Sequence, residues 1–198
     1  MTKERLRQEA LERLRRATAS GKIARDQKSS RHLIALLKAL DPDRVLAYVP
    51  LAFEADISPA LRWLKARKKL FVPFMQGVSF KMVPYRLPLK HQALGIFTPA
   101  DSGQLTAKVE VMIVPALAID GAFRRIGFGK GMYDRFYARL PHKPIVIFVQ
   151  PFPIVESTVV TKRHDIAGDF LVSARGVLRN RRGTPYDNRN LSHRSGHR

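Results

Sequence analysis

Six residues within a short stretch have the types and spacing to handle an anion: Arg125-x-Gly127-x-Gly129-x-Gly131-x-Tyr133-Asp134. Glycine at every second position lets backbone N–H groups approach a ligand with no Cβ in the way and permits positive φ where the loop needs it. Arg125 and Lys130 add formal positive charge, so the ligand this loop suits best is phosphate. The spacing is neither the dinucleotide fingerprint, Gly-x-Gly-x-x-Gly, nor the Walker loop, where Gly-Lys-Ser/Thr follows four free positions. A Gly-rich turn with its charges in solvent is the plain alternative. Six fixed positions occurring together argue against it.

The elements that must hold this loop are legible on either side. Val109, Val111, Ile113 and Val114 form a β-branched run that stops at Pro115 and predicts a strand. Met132, Tyr133, Phe136, Tyr137 and Leu140 recur every three to four residues and predict a helix. The loop therefore delivers its ligand to a helix N-terminus, where free N–H groups and the macrodipole favour an anion. Asp134 falls in the first turn of that helix. The dipole alone favours an acid there, and a hard oxygen ligand for a metal beside the phosphate would sit there equally well.

The rest of the chain reads as alternating helices and strands. Residues 2–18 are amphipathic, with Leu6, Ala10, Leu14 and Ala17 on one stripe and Thr2 placed to cap. Lys3 and Arg7 lie four apart on one face, ordinarily a solvated pair. A second helix spans 23–40 and closes at Asp41-Pro42-Asp43, followed by a buried strand at 45–49. A helix is expected from about Leu51 to Lys68. Glu54 near its start follows a strand end, where α/β proteins place ligands, although Glu54 and Asp56 would also suit a helix N-terminus. Strands at 70–74 and 78–83 flank Gln76-Gly77, and Pro73 marks an edge or a strand end. Residues 84–108 read as irregular. Strands at 144–150 and 170–172 follow, separated by a loop that holds His164, Asp165 and Asp169. The alternation predicts one domain over 1–178: a three-layer α/β/α, Rossmann-like arrangement with a mostly parallel central sheet. From Arg179 the chain is polar, basic and nearly free of aliphatics, so a disordered tail is expected over 179–198.

Composition bounds the class. With 198 residues and 45% hydrophobic composition, the chain can bury a real core. It has no apolar run of about 18 residues to span a membrane. The N-terminus lacks an apolar signal region, and there is no cysteine, which excludes disulfides, thiolate metal sites and a cysteine nucleophile. A cytoplasmic protein is expected. Lys plus Arg is 36 against 16 acids, a net +20 with pI near 11.1, which favours polyanionic partners. No zinc-finger spacing, RNP aromatic motif or helix-turn-helix signature accompanies the charge. Nucleic-acid contact is therefore expected to be nonspecific at most.

At the glycine loop the chain resembles the 5-formyltetrahydrofolate cyclo-ligase (5,10-methenyltetrahydrofolate synthetase) family. The family pattern is Pro-Gly-x-Ala-Phe-Asp, a short spacer, then Gly-x-Arg-Leu-Gly-x-Gly-x-Gly-x-Tyr-Asp. Here it reads Pro115-Ala116-Leu117-Ala118-Ile119-Asp120, then Phe123-Arg124-Arg125-Ile126-Gly127 through Asp134. Ala116 and Phe123 stand where glycines are usual. The family's N-terminal Lys-x-x-x-Arg matches Lys3 and Arg7, its Glu-x-Asp/Glu-Thr matches Glu54-Ala55-Asp56 with Ile57 for the Thr, and its Asp with a second acid four residues on matches Asp165 and Asp169. In Gly95-Ile96-Phe97-Thr98-Pro99, Thr98 replaces a usual Glu.

The resemblance implies an ATP- and Mg²⁺-dependent cyclisation of 5-formyltetrahydrofolate to 5,10-methenyltetrahydrofolate. It implies nucleotide binding by Lys3, Arg7, Arg125, Ile126, Gly127, Phe128, Gly129, Lys130, Gly131, Met132 and Tyr133, with Lys130 and Arg125 acting on the transferring phosphate. Glu54, Phe128, Met132 and Tyr133 would contact the folate, and Asp134 and Asp165 would hold Mg²⁺. Asp56 is expected to be structural. A basic surface is compatible with an anionic, often polyglutamylated, folate, and a monomer is expected. Two other readings stay open: a different ATP-using enzyme on this scaffold, which Thr98 and Phe123 would favour, and a basic nucleic-acid-binding protein.

Overall fold

The apolar runs of the sequence become a sheet that is buried on both faces. The structure, a computed structural model, describes residues 1–18, 21–86, 88–91, 97–99 and 108–180. In chain order the elements are α1 (Lys3–Thr18), α2 (Lys22–Leu40), β1 (Arg44–Ala47), α3 (Ser58–Arg67), β2 (Lys69–Gln76), β3 (Ser79–Pro84), β4 (Lys90–His91), β5 (Phe97–Thr98), β6 (Val111–Pro115), β7 (Ala118–Ile119), β8 (Arg125–Ile126), α4 (Met132–Arg139), β9 (Ile145–Val149), β10 (Phe170–Ser173) and β11 (Gly176–Arg179). Seven strands form one sheet in the order β11-β10-β9-β6-β1-β2-β3. The five central strands are parallel, and β3 and β11 add an antiparallel strand at each end.

Side-chain alternation explains why the central strands read as unbroken apolar runs. Val45, Ala47, Val111, Ile113, Ile147 and Val149 face α2 and α3, whose Leu33, Leu37, Ala60, Leu61 and Leu64 complete that layer. Leu46, Met112, Val114, Val146 and Phe148 face the other way, towards Phe136 of α4 and Phe80 of β3. Both faces are covered, so neither parity of the strand can be polar. The expected three-layer arrangement is present.

The sheet changes direction of growth between β1 and β6. The chain builds β2 and β3 to one side of β1, then returns to place β6 on the other side and extends through β9 and β10. The loops that leave the carboxyl ends of β1 and β6 therefore diverge from adjacent strands, and the crevice between them is where open α/β sheets hold ligands. Glu54 lies in the first loop and the glycine loop in the second.

Several local expectations shift. The helix expected from Leu51 begins at Ser58, because Pro59 suits a first turn and the Asp56 carboxylate accepts the Ser58 N–H at 2.8 Å. The backbone of 51–57 is engaged elsewhere: the Ala55 carbonyl accepts the Tyr48 hydroxyl at 2.8 Å and the Asp56 carbonyl accepts Ser30 Oγ at 2.8 Å. Asp56 is thus structural at its side chain, as expected. Pro73 lies inside β2 and pairs with Met82 on β3, but β1 is paired with β2 only from Lys69 to Phe71. Beyond Phe71 the β1 side of β2 is locally an edge, where a missing N–H costs nothing. Two short pairs were not legible: β7 with β8, and β4 with β5 inside the segment read as irregular. Gly95 and Ile96 of the Thr98 motif lie outside the described residues.

At the C-terminal end, Arg179 belongs to the fold. It pairs with Phe170 across β10 and β11, and Asn180 donates its N–H to the Asp169 carbonyl and its side-chain amide to the Gly168 carbonyl, both at 2.8 Å. Arg179 and Asn180, expected in the tail, are therefore held by the sheet. Residues 181–198 of the expected tail lie outside the described residues.

Candidate active site

Helix α1 is the element that gathers the N-terminal cations to the loop. Thr2 Oγ1 accepts the Arg5 N–H at 3.2 Å and starts the helix. Leu6, Ala10 and Leu14 are buried against Leu117, Ala118, Ile126 and Ile154, so the apolar stripe docks on the β7–β8 hairpin. Each buried leucine contributes about 2 kcal/mol to that docking. Lys3 and Arg7 are carried on a neighbouring face. Arg7 Nε donates to the Gly127 carbonyl at 2.9 Å, and its guanidinium also meets Glu4. The Lys3 ammonium reaches the Asp165 carboxylate at 2.6 Å. Residues that looked like a solvated pair are drawn onto the glycine loop and its neighbour.

Within the loop the glycines divide the work. Gly129 (φ 95°) and Gly131 (φ 56°) adopt left-handed backbone, which a side chain would strain, and Gly131 caps α4. Gly127 is needed for space: a Cβ there would lie 2.5 Å from the Arg125 guanidinium. The N–H groups of Phe128, Gly129 and Lys130 donate to no other group among the described residues. Lys130 is exposed at the turn and its ammonium forms no ion pair among the described residues. Three amides and an ammonium without partners among the described residues, at a helix N-terminus, could hold an anion.

Arg125 does not stand beside Lys130 in solvent. Its side chain is 7% exposed and turned inward, with Nη2 on Asp134 Oδ2 at 2.9 Å and the guanidinium 5.2 Å from the Tyr133 ring centre. Its Nε has no hydrogen-bond partner among the described residues. Asp134 Oδ1 accepts the Ile166 N–H at 3.1 Å, and Asp165 Oδ2 accepts the Lys162 N–H at 2.8 Å. The two acids expected to bind metal thus occupy adjoining positions, Asp134 paired with Arg125 and Asp165 with Lys3. Both line one cleft of about 970 Å³, together with Arg124, Arg163 and His164. Asp169 lines it too, and its carboxylate accepts the Val146 N–H at 2.9 Å.

Glu54 faces a second, smaller pocket. Its Oε2 accepts the Leu51 N–H at 2.9 Å, and the pocket around it is otherwise apolar, with Leu14, Phe53, Ala55, Pro115, Ala116, Leu117, Phe128, Val149 and Pro151. Burial pushes the Glu54 carboxyl up to about 7, against the Leu51 N–H and the Arg125 charge, which both pull it down. Burial first and Glu54 second raise the Tyr133 hydroxyl, and the same two causes lead for Tyr48, so both phenols stay neutral. Phe53 and Phe128, 39% and 42% exposed, meet at 4.9 Å between ring centres across the mouth. Of the expected folate contacts, Glu54 and Phe128 share this pocket, while Tyr133 stacks edge-on against Phe80 and packs with Met132 on the inner face of α4.

Asp120 closes the motif that begins at Pro115, and its role shows only in the fold. It is fully buried and its carboxylate accepts five hydrogen bonds, from the N–H groups of Ala122, Arg124, Val160 and Thr161 and from the Thr161 hydroxyl. It ties the turn before Arg125 to the segment before Asp165, and so sets both halves of the anion site. Its position as the terminal acid of Pro-x-x-x-x-Asp was the available signal.

The sequence pattern of the 5-formyltetrahydrofolate cyclo-ligase family matches residues 1–167, from the Lys3–Arg7 helix to the Asp165 loop. The chain belongs to that family. The mitochondrial 5-formyltetrahydrofolate cyclo-ligase of Arabidopsis thaliana is 25% identical over 136 residues, 57% of this chain and 49% of that protein, so the match spans about half the relative's length. The NMR structure of 5,10-methenyltetrahydrofolate synthetase from Aquifex aeolicus has a TM-score of 0.74 at 27% identity, covering 98% of this chain and 100% of that one. The 5,10-methenyltetrahydrofolate synthetase from Mycoplasma pneumoniae shares the fold, with a TM-score of 0.65 at 20% identity over 88% of this chain and 99% of its own. Among the described residues no helix is long and apolar enough to cross a membrane.

The two positions where the family's usual glycine is replaced are unequal in the structure. Ala116 keeps ordinary backbone and is buried, so replacing glycine there costs nothing in conformation. Phe123 takes φ 54°, the left-handed region that the usual glycine would enter freely. Its ring is 3% exposed in the core against α4 and Phe148, and that burial offsets the backbone strain.

Proposed function

We propose that this member of the family carries out the ATP- and Mg²⁺-dependent cyclisation of 5-formyltetrahydrofolate to 5,10-methenyltetrahydrofolate, with release of ADP and phosphate. The observation that carries the reading is the contact of Arg7 Nε with the Gly127 carbonyl at 2.9 Å. It joins the family's N-terminal cations to its glycine loop in one site beside a carboxylate-bearing apolar pocket.

The residues fit the groups the reaction requires. Asp134 and Asp165 are hard oxygen donors on adjoining positions, and Mg²⁺ that arrives with a triphosphate needs only one or two protein carboxylates. Among the described residues no cluster of three His, Asp or Glu side chains would hold a metal without phosphate. Arg125 and Lys3 neutralise the two carboxylates, which would hold the Mg²⁺ that accompanies a bound triphosphate. Lys130, Arg7 and the amides of Phe128, Gly129 and Lys130 would bind the phosphates, and Glu54, Phe128, Met132 and Tyr133 would flank the folate. ATP supplies a phosphoryl group that turns the formyl oxygen into a leaving group. The chain's own contribution is alignment and neutralisation of charge as it moves.

The test is absorbance detection of methenyl-folate from 5-formyltetrahydrofolate. Product is expected only when ATP and Mg²⁺ are both present, and Lys130→Ala is expected to lower turnover by about 10²-fold with the fold intact. No product at any protein concentration would reject the reading.

A further inference from the structure

Ring closure makes a demand that the anion site does not meet. As nitrogen 10 of the folate bonds to the formyl carbon, its N–H proton has to leave. We propose that Glu54 is the base that accepts this proton, an inference that rests on the cyclo-ligase reading above.

The geometry singles out this carboxylate. It lies in the loop after β1, at the sheet's switch point, and shares its pocket with Phe128 of the glycine loop. Oε2 is pinned by the Leu51 N–H at 2.9 Å, while Oε1 has no hydrogen-bond partner among the described residues. The other acids near the crevice are engaged: Asp134 with Arg125, Asp165 with Lys3, Asp56 with the Ser58 N–H and Asp120 with its five donors. Glu54 alone combines a fixed orientation, a free oxygen and an apolar wall. The charged and titratable groups facing it are Arg125 on β8, Tyr133 on α4 and Tyr48 beyond β1. The tyrosines stay neutral and the Arg125 charge is balanced by Asp134, so the burial that lifts Glu54 to about 7 is not cancelled. A base with that affinity for protons is matched to neutral pH.

With the formyl oxygen carrying the phosphoryl group, the nitrogen 10 lone pair forms the new C–N bond and its proton passes to Glu54 Oε1. The C–O bond then breaks, phosphate departs with the electron pair, and the N–C–N unit keeps one positive charge in the methenyl product. Glu54 returns the proton to water.

Glu54→Gln and Glu54→Asp test the assignment, each first shown to melt cooperatively. Glu54→Gln is expected to lower kcat by about 10²–10⁴-fold, with KM for the folate changed by no more than about threefold. The rise of wild-type kcat through about pH 7 should disappear in Glu54→Gln and reappear, shifted, in Glu54→Asp. In rapid mixing, Glu54→Gln should still release ADP faster than it forms methenyl-folate. A variant that raises KM alone, or keeps the wild-type pH limb, would show that Glu54 only holds the folate. A wild type without folate turnover would overturn the cyclo-ligase reading and the base with it. An active wild type with an unimpaired Glu54→Gln would overturn the base alone.

Discussion

The Lys3 ammonium and the Asp165 carboxylate, 162 residues apart in the chain, meet at 2.6 Å and close the first turn of α1 onto the loop after β9. Burial alone would raise the Asp165 carboxyl. The Lys3 bond and the Lys162 N–H outweigh it and hold it below the usual carboxylate range. A lowered folded pKa gives stability that is present above the unfolded value and is lost as pH falls through the folded one. Lys3→Ala should therefore cost about 1 kcal/mol at neutral pH, and the deficit should shrink in acid and vanish once the pH has fallen through the lowered Asp165 value, where both proteins carry a neutral Asp165. Thermal melting across that range checks it. A deficit that persists in acid would mean the lysine stem, and not its charge, holds the helix.

Asp134 is more than a helix-start acid. A first-turn carboxylate contributes about 0.3–1 kcal/mol, and removing a metal ligand would leave the ligand-free protein almost unchanged. Neither sum covers a carboxylate paired with the buried Arg125. Asp134→Asn should cost about 3 kcal/mol without any ligand, because an uncompensated guanidinium stays inside. Adding Arg125→Met to Asp134→Asn should recover part of that loss. Urea unfolding of the ligand-free wild type and the two variants decides it, and a cost under 1 kcal/mol for Asp134→Asn would return the acid to a purely functional role.

Phe123 reverses an ordinary ranking. Glycine is normally the more destabilising replacement for a buried side chain than alanine. At φ 54° alanine keeps the left-handed strain and loses the ring, whereas glycine loses the ring and is relieved of the strain. Both substitutions should destabilise by about 3–4 kcal/mol, with Phe123→Ala the worse by about 1 kcal/mol. Denaturation midpoints of the two variants measure the order directly. Alanine ranking above glycine would mean the turn relaxes when the ring is gone.

Two residues separate a harmless truncation from a damaging one. Ending the chain at Asn180 keeps the β10–β11 ladder and both Asn180 hydrogen bonds, so melting should be unchanged. Ending it at Leu178 removes the pairing partner of Phe170 and those bonds, for a loss of about 1–2 kcal/mol. Equal melting temperatures for the two truncations would show that the last strand contributes nothing beyond Leu178.

What the sequence determined by itself is whatever depends on near neighbours. The run before Pro115, the alternate glycines, the periodicity of α4 and the Leu6–Ala10–Leu14 stripe each follow from propensity and burial over a few residues. The phosphate-suited loop, and the family resemblance it carries, were legible for the same reason. Tertiary structure decided which charge meets which. Arg125 looked like a partner for Lys130 and instead turned inward, because Asp134 offers its carboxylate in the interior and Gly127 leaves room for the guanidinium. Lys3 had an ordinary helix face until the docking of α1 on the β7–β8 hairpin brought it to Asp165. Phe53 and Phe128 meet because β1 and β6 are adjacent, an order set by chain reversal at the switch point and written in no local pattern. A charge or a ring carries no address of its own: its partner is whichever group the packing of distant apolar faces brings within a few ångströms.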